Sequence, residues 1–201
     1  MPKIVDPEER REAVVEALFR VVDREGLERA SLRNVAAEAG LAIGSVRHYF
    51  DHHSELTLFA MRAMSERVSA RLTRRVERGF DGDDRREAVV QLLAEVLPLD
   101  ERRRREVVVW LAFLTASRTR PELRAHADEL YDGLLTLVTH VLEGAHRRDA
   151  LAAGVDIPAE ARRLCAVLDG LSMQLVLHPG RIDPESALTV LRGHLAALGR
   201  D

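Results

Sequence analysis

Arginine and serine side chains cluster between residues 31 and 53 of this 201-residue chain, and their functional groups suit anionic ligands. A guanidinium group matches the O6 and N7 acceptors of guanine and also pairs with phosphate, so Arg33 and Arg47 are candidate base-reading side chains. Ile43 and Ser45 lie just before Arg47 and are predicted to join it. The alternative for each arginine is solvated surface charge. These residue types therefore raise a nucleic-acid contact surface as the first hypothesis.

Three histidines lie in the same segment, namely His48, His52 and His53. His48 and His52 are four residues apart, which raises a metal site as one interpretation. A predicted turn separates the two, and no cysteine lies nearby, so we favour phosphate contacts, for which the candidates are Ser31, His48, Tyr49 and His53. Packing in the core is an equally good interpretation of Tyr49.

Two glycines divide this segment into short helices that would position these side chains. Ser31 is a favoured N-cap for the first helix, and Gly40 ends it. Residues 43–49 can form only about two turns, so this helix must be held by packing of its terminal aromatic pair. Two short helices joined by a glycine turn predict a helix-turn-helix, whose second helix presents its first residues to the DNA major groove. Gly44 has no side chain there and lets backbone N–H groups approach a phosphate.

The stretch SLRNVAAEAGLAIGSVRHYFDHHSEL, residues 31–56, resembles the DNA-binding motif of the tetracycline-repressor (TetR) family of bacterial regulators. The matching positions include the Ala39-Gly40 pair, Gly44 and the His48-Tyr49-Phe50 ending, and the close resemblance covers residues 7–60. It implies a homodimeric transcription regulator, commonly a repressor, which leaves a double-stranded DNA operator when a small-molecule effector binds the C-terminal bundle.

Three positions depart from the family pattern. Position 42 is usually Ser or Thr, which supplies an N-cap and a phosphate contact, and Ala42 can do neither. Position 47 is often Tyr, whereas Arg47 could clamp a phosphate or read guanine. Position 53 is commonly Lys, and His53 would be a weaker, pH-dependent phosphate partner. These departures leave the operator sequence and affinity open.

The C-terminal part resembles the effector domain of the betaine repressor at WLAF, residues 110–113, and at GLSMQLVLHPGRIDPESA, residues 170–187. Polar or soft side chains within apolar stretches after residue 56 are the candidates for its ligand pocket, with ordinary core packing as the alternative. They are Met61, Met64, Trp110, Phe113, Tyr131, His140, Met173 and Gln174. We expect Gln174 to be a buried amide that needs a partner, in the pocket or at a subunit interface.

The helix-favouring composition and the apolar periodicity predict an all-α fold of about nine helices. An N-terminal three-helix unit carries the helix-turn-helix, and a long fourth helix joins it to a C-terminal bundle. We expect a DNA-binding domain at 1–52 and a ligand-binding and dimerisation domain at 53–201, with a break in the helices at 79–84. The predicted helices are 7–25, 32–39, 43–49, about 53–78, 85–97, 100–117, 121–147, 158–177 and 184–198.

Two later stretches are apolar on more than one side. Residues 107–114 cover every face of two helical turns, so that helix is predicted to lie in the middle of the bundle. Residues 164–177 are nearly all apolar although they lie near the chain end, which favours a second subunit. Together with 184–198 this helix predicts a four-helix homodimer interface. The interface candidates are Ala166, Gly170, Leu171, Leu188, Leu191 and Leu195.

The charge of the chain and its lack of catalytic motifs limit the functions that the sequence supports. The formal net charge is −3, and residues 26–56 hold three arginines against four acidic residues, so charge alone does not favour nucleic acid. A helical ligand-binding or interaction module that no longer binds DNA is therefore the alternative function. We find no glycine-rich phosphate loop, metal-ligand cluster or nucleophile elbow, so we expect neither an enzyme nor a cofactor.

The single cysteine, Cys165, lies in an apolar run and is predicted to be a core residue. No apolar run reaches the roughly 20 residues of a membrane helix, so no membrane partner is expected. The first residues contain no apolar region of signal-peptide length, and we expect a cytoplasmic protein.

Overall fold

The computed structural model describes residues 7–79 and 85–200, and within them the chain forms nine α-helices, two single-turn 3-10 helices and one isolated β-bridge. The all-α prediction is confirmed. The predicted break at 79–84 and the expectation about the first residues fall largely on 80–84 and 1–6, outside the described residues. The helices are α1 (Pro7–Glu25), α2 (Leu32–Glu38), α3 (Ile43–Arg47), α4 (His53–Glu77), α5 (Arg85–Leu93), α6 (Glu101–Ser117), α7 (Pro121–His146), α8 (Ile157–Leu177) and α9 (Pro184–Leu198).

Side-chain caps explain where several of these helices begin. The Ser31 hydroxyl accepts a hydrogen bond from the Asn34 N–H at 3.2 Å, as predicted for the N-cap of α2. The carboxylates of Asp156 and Asp183 accept backbone N–H bonds at 3.1 and 2.7 Å and cap α8 and α9 in the same way. The residue Pro184 occupies the first turn of α9, where its missing N–H costs nothing.

The described chain divides into two compact units. Unit 1 contains residues 7–67 and 108–127, and unit 2 contains 68–79, 85–107 and 128–200. The boundaries fall inside α4, α6 and α7, not at the start of α4. These units describe packing, so the functional division after residue 52 stays a prediction.

The core of unit 1 includes one face of α1. Five α1 side chains on this face are no more than 2% exposed, as the periodicity predicts: Val14, Ala17, Leu18, Val21 and Val22. Beside this core the Glu38 carboxylate accepts hydrogen bonds from Arg20 at 2.6 Å and from Arg24 at 2.9 Å. These bonds lower the pKa of Glu38 and tie α2 to α1.

The core of unit 2 contains side chains from α5, α7, α8 and α9. Leu171, Leu191 and Leu195 belong to it, so packing within one chain already accounts for the apolar character on which their assignment to a dimer interface rested. Cys165 is also buried here as predicted, and burial raises the pKa of its thiol to about 11. The thiol is therefore protonated at neutral pH and is a poor nucleophile.

The apolar stretch 107–114 in α6 is less enclosed than predicted. Val107, Val109 and Phe113 are buried, whereas the other five side chains are only half-buried. The expectation of a helix buried on every face is therefore wrong in the single chain, because side chains between the buried positions still reach solvent.

Candidate nucleic-acid interface

The turn between α2 and α3 is set by backbone geometry at Gly40. Its φ of +67° lies in the left-handed region, which L side chains rarely adopt. The Gly40 N–H donates to the Ala37 carbonyl at 3.1 Å, and the Leu41 N–H donates to the Ala36 carbonyl at 2.9 Å. These two bonds form a Schellman motif, which ends α2 and redirects the chain into α3.

The short helix α3 is held by packing at its inner side. Val46 is fully buried, and Phe50 is 3% exposed with its ring centroid 5.3 Å from that of Phe59. The predicted packing role of Phe50 is confirmed, while the contribution of Val46 was not predicted. Tyr49 is half-buried, with the Arg11 guanidinium 5.4 Å from the centre of its ring.

Five of the nine predicted DNA-binding residues line one open cleft of about 390 Å³, which we call the reading cleft. They are Ser31, Arg33, Ile43, Arg47 and His53. The remaining lining residues are Glu28, Leu32, Asp51, His52 and Arg120. The α2–α3 turn therefore brings side chains from three consecutive helices to one surface.

The acidic residues of the segment 26–56 cancel its positive charge less than the residue count suggests. Glu38 is committed to α1, and the Glu55 carboxylate accepts the Asp51 N–H at 2.9 Å. By contrast, neither Arg33 nor Arg47 makes an ion pair with any residue in 7–79 or 85–200, and both are exposed. Two guanidinium groups thus remain available to an anionic ligand.

Arg120 is a cleft residue that sequence reasoning missed. Its guanidinium donates to the Glu28 carboxylate at 2.7 Å, so the pair forms part of the cleft wall. The turn before α7 carries Arg120, far along the chain from the helix-turn-helix. No local motif points to it, because only the tertiary fold brings it there.

His53 carries less charge than a lysine would at the same position. Burial and the nearby Arg120 guanidinium lower its pKa, and its Nε2 atom is buried without a hydrogen-bond partner among the described residues. At neutral pH the imidazole is therefore uncharged, and the positive charge of the reading cleft comes from its arginines.

The remaining predicted DNA-binding residues lie on or just after α3. Gly44 and His48 are exposed, and Ser45 is half-buried. A Cβ atom on Gly44 would meet nothing within 4 Å, so packing does not demand glycine there. That open space is what a close backbone approach to phosphate would need.

The predicted ligand-pocket residues do not form one group. Met61, Met64 and Phe113 are buried and Trp110 is half-buried, all four in unit 1. In unit 2 the candidates Tyr131, His140, Met173 and Gln174 are exposed. The expectation of a buried Gln174 amide is therefore wrong in the single chain. His140 lines a cavity in unit 2 with a volume of about 790 Å³.

Two further findings concern the predicted absences. In the described part of the chain, no helix is long and apolar enough to cross a bilayer. Over the same residues, no three His, Cys, Asp or Glu side chains are grouped so that they could hold a metal ion, and this includes the histidines beside α3.

Comparisons with known proteins agree with this geometry. A family model described as the BetI-type transcriptional repressor, C-terminal, matches residues 85–200. The HTH-type transcriptional regulator PksA of Bacillus subtilis (strain 168) is 36% identical over 199 residues, covering 98% of this chain and 94% of that protein.

Two solved structures extend the comparison to the fold. A transcriptional regulator from Rhodococcus sp. Rha1 has a TM-score of 0.80 and 33% identity, covering 94% of this chain and 95% of the other. The multidrug binding protein EbrR, complexed with imidazole, has a TM-score of 0.61 and 33% identity, covering 94% and 96%. The helix-turn-helix, the reading cleft and these similarities over nearly the whole chain establish that it belongs to the TetR family of DNA-binding transcriptional regulators, with a C-terminal domain of the BetI type.

Proposed function

We propose that the chain is a cytoplasmic, homodimeric repressor that binds a palindromic operator and leaves it when a small-molecule effector binds the C-terminal domain. The observation that carries the proposal is the convergence of Ser31, Arg33, Ile43, Arg47 and His53 on one open cleft. Two copies of α3 spaced by about one DNA turn, ~34–36 Å, would enter successive major grooves on one side of a duplex.

The two arginines have the leading role in this proposal. Arg33 and Arg47 are exposed, and neither is paired with a described residue, so a duplex would not have to break an ion pair to engage them. Each can bind guanine O6 and N7 or a phosphate. Ile43 and Ser45 would contact neighbouring base edges. The phosphate contacts would come from Ser31, His48 and Tyr49, and from backbone N–H groups near Gly44. A contact from His53, whose Nε2 atom is buried, would need its imidazole to turn outward.

The homodimer would form through the exposed face of α8 and α9. Ala166, Gly170, Met173 and Leu177 follow a helical spacing of three or four residues along α8, and Leu177 is 57% exposed. On α9, Val190 is 48% exposed, directly before the core residue Leu191. Exposed apolar side chains in a continuous stripe are typical of a subunit interface. Met173 is therefore better explained by dimerisation than by a ligand pocket.

The dimer surface has a direct test in solution. Val190→Asp would place a charge in the interface and shift the chain from dimer to monomer in sedimentation equilibrium. Thr189→Asp, at the exposed neighbouring position, is the matched control for added charge. A wild-type chain that is monomeric at micromolar concentration would refute the dimer.

Release by a small molecule is supported by the family and by EbrR, which has been crystallised with imidazole. EbrR is 33% identical to this chain, and the similarity covers 94% of this chain. An effector would act by binding one conformation of the repressor more tightly than the DNA-bound one.

Fluorescence anisotropy with duplexes from the region upstream of the gene tests the DNA-binding role. We expect the wild-type affinity to fall between about 50 and 200 mM salt. Arg47→Ala should weaken binding by about tenfold or more and, if Arg47 binds phosphate, reduce the salt slope by about one. Arg78→Ala, a change to an exposed arginine outside the reading cleft, should leave both unchanged.

The alternative function makes the opposite prediction in the same measurement. An interaction module that has lost DNA binding is favoured by Ala42, which makes no side-chain cap at the start of α3. It would show no salt-dependent binding to any upstream duplex.

A further inference from the structure

The cavity of about 790 Å³ in unit 2, which we call the unit 2 cavity, has an apolar floor. Val89 and Leu92 of α5, Leu137 and Val141 of α7, and Leu195 of α9 contribute to it. Small-molecule sites in proteins have volumes of about 300–1,000 Å³ and are lined mainly by apolar side chains. The cavity therefore has the size and the lining of a ligand site.

Four arginines line the same cavity. Arg85 and Arg86 begin α5, and Arg147 and Arg148 follow α7. Among the described residues that line the cavity there is no carboxylate side chain. An apolar floor with four arginines, and with no carboxylate among the described lining residues, complements a ligand that is apolar at one end and anionic at the other.

Arg147 and Arg148 converge at one point of the lining. A Cβ atom built on Gly144 would lie 3.9 Å from Arg147 Nη2 and 3.4 Å from Arg148 Nη1. The Arg148 guanidinium also donates to the Gly144 carbonyl at 2.7 Å. Two guanidinium groups that meet at one residue can together donate hydrogen bonds to a single anionic group.

The acidic residues near these arginines do little to neutralise them. Glu143 lies 3.7 Å from the Arg147 guanidinium in an exposed pair, which contributes little. On α5, the Glu87 carboxylate accepts hydrogen bonds from Arg192 at 2.9 and 3.0 Å. These two acidic residues therefore leave most of the positive charge at the unit 2 cavity without a strong ion pair.

We propose that the unit 2 cavity binds an amphipathic monoanion, a carboxylate on an apolar chain. The carboxylate pairs with Arg147 and Arg148, since guanidinium binds carboxylate through two parallel hydrogen bonds. The apolar chain covers Leu137 and Val141, and it buries Val76, which lines the cavity and is 49% exposed without ligand. His140 adds a polar group to the same lining. The assignment rests on the proposed function in one respect, because it names the class of effector.

Isothermal titration calorimetry of the full chain without DNA tests the assignment. The probes are decanoate, decyltrimethylammonium with the same tail and opposite charge, and butanoate with the same headgroup and a short tail. We expect one decanoate site per chain, with the other two probes binding at least about tenfold more weakly.

Variants then locate the site. Arg147→Gln/Arg148→Gln and, separately, Arg85→Gln/Arg86→Gln should each weaken decanoate binding by about tenfold. Arg118→Gln/Arg124→Gln removes two exposed arginines from unit 1 and is the matched control, which should bind decanoate normally. Circular dichroism shows whether each variant is folded, and two independent pairs keep the test decisive if one pair fails to fold.

Three results would overturn the assignment: no decanoate binding, equal binding of decyltrimethylammonium, or unchanged decanoate affinity in folded Arg147→Gln/Arg148→Gln. If that variant does not fold, unchanged affinity in Arg85→Gln/Arg86→Gln overturns it instead. Operator binding measured on the same preparations separates the two proposals. DNA binding without decanoate binding refutes only the ligand class, whereas decanoate binding without DNA binding refutes only the repressor role.

Discussion

The reading cleft and the unit 2 cavity both collect arginines, but they differ in what lies beneath the charge. In the cleft, Arg33 and Arg47 share the lining with serine, histidine and acidic residues, and Leu32 and Ile43 are its apolar members. In the cavity, Arg147 and Arg148 stand beside leucine and valine. A polyanion such as DNA binds through many charges at a wet surface, whereas a small anion needs apolar contact as well. The neighbours of an arginine therefore indicate its ligand better than the arginine itself.

The largest expected effect is a loss of operator affinity when the arginines of the reading cleft are removed. Arg33→Ala/Arg47→Ala removes two potential bidentate contacts, each worth about 1–3 kcal/mol, so operator affinity should fall by about a hundredfold. Decanoate affinity should not change. Anisotropy and calorimetry on the same variant measure both, and retention of operator binding would show that the cleft is not the DNA-binding surface.

A change in the apolar floor of the unit 2 cavity should weaken ligand binding and leave DNA binding unchanged. Leu137→Asn removes part of the floor, and because burying a leucine contributes about 1.5–3 kcal/mol, decanoate should bind about tenfold more weakly. Operator affinity without ligand should stay as in the wild type. Thr136→Asn, at the exposed neighbouring position of α7, is the matched control. Equal decanoate affinity in the two variants would show that the apolar floor does not take part in ligand binding.

The Arg120–Glu28 pair sharpens the account of the cleft. Arg120→Ala leaves the Glu28 carboxylate without its partner beside the DNA surface, so operator affinity should fall about threefold to tenfold. Glu28→Gln removes the acid and frees the guanidinium, so affinity should rise or hold. Anisotropy at low salt measures both, and equal losses in the two variants would indicate a purely structural pair.

The smallest expected effect is on stability, and it concerns the acid committed to Arg192. Hydrogen bonds from Arg192 and Gln91 lower the pKa of Glu87 from 4.5 to about 2. A depressed carboxyl pKa stabilises the fold fully above about pH 4.5, and this contribution is lost as the pH falls toward 2. The difference in Tm between wild type and Glu87→Gln should shrink over that range. A constant difference would mean that the charge of Glu87 does not stabilise unit 2.

Local signals predicted the helices well because the determinants lie within one turn of each helix end. Ser31 identifies the start of α2, and the glycine at position 40 identifies its end. Five predicted residues meet at the reading cleft for the same reason, because α2 and α3 are adjacent in the chain. Arg120 could not be found this way, because its place depends on the tertiary fold.

Apolar periodicity was a weaker guide where a helix has two apolar faces. In α8 the pattern marks both the Leu164, Leu168 and Leu171 face, which is buried, and the Met173 and Leu177 face, which is exposed. Spacing alone does not say which face meets its own chain. The sequence therefore led to core leucines being assigned to the dimer interface and to exposed Met173 and Gln174 being assigned to a pocket.

The Gly40 turn keeps the frame of α3 separate from the side chains that we propose contact DNA. The Schellman bonds use only main-chain atoms, and Val46 and Phe50 hold α3 from within. The side chains of Ile43, Ser45 and Arg47 take no part in these main-chain bonds, and we expect exchanges at these positions to leave the turn in place. Such a scaffold can be retargeted, by mutation in a genome or by library selection in the laboratory, while one architecture is kept and the recognised sequence changes.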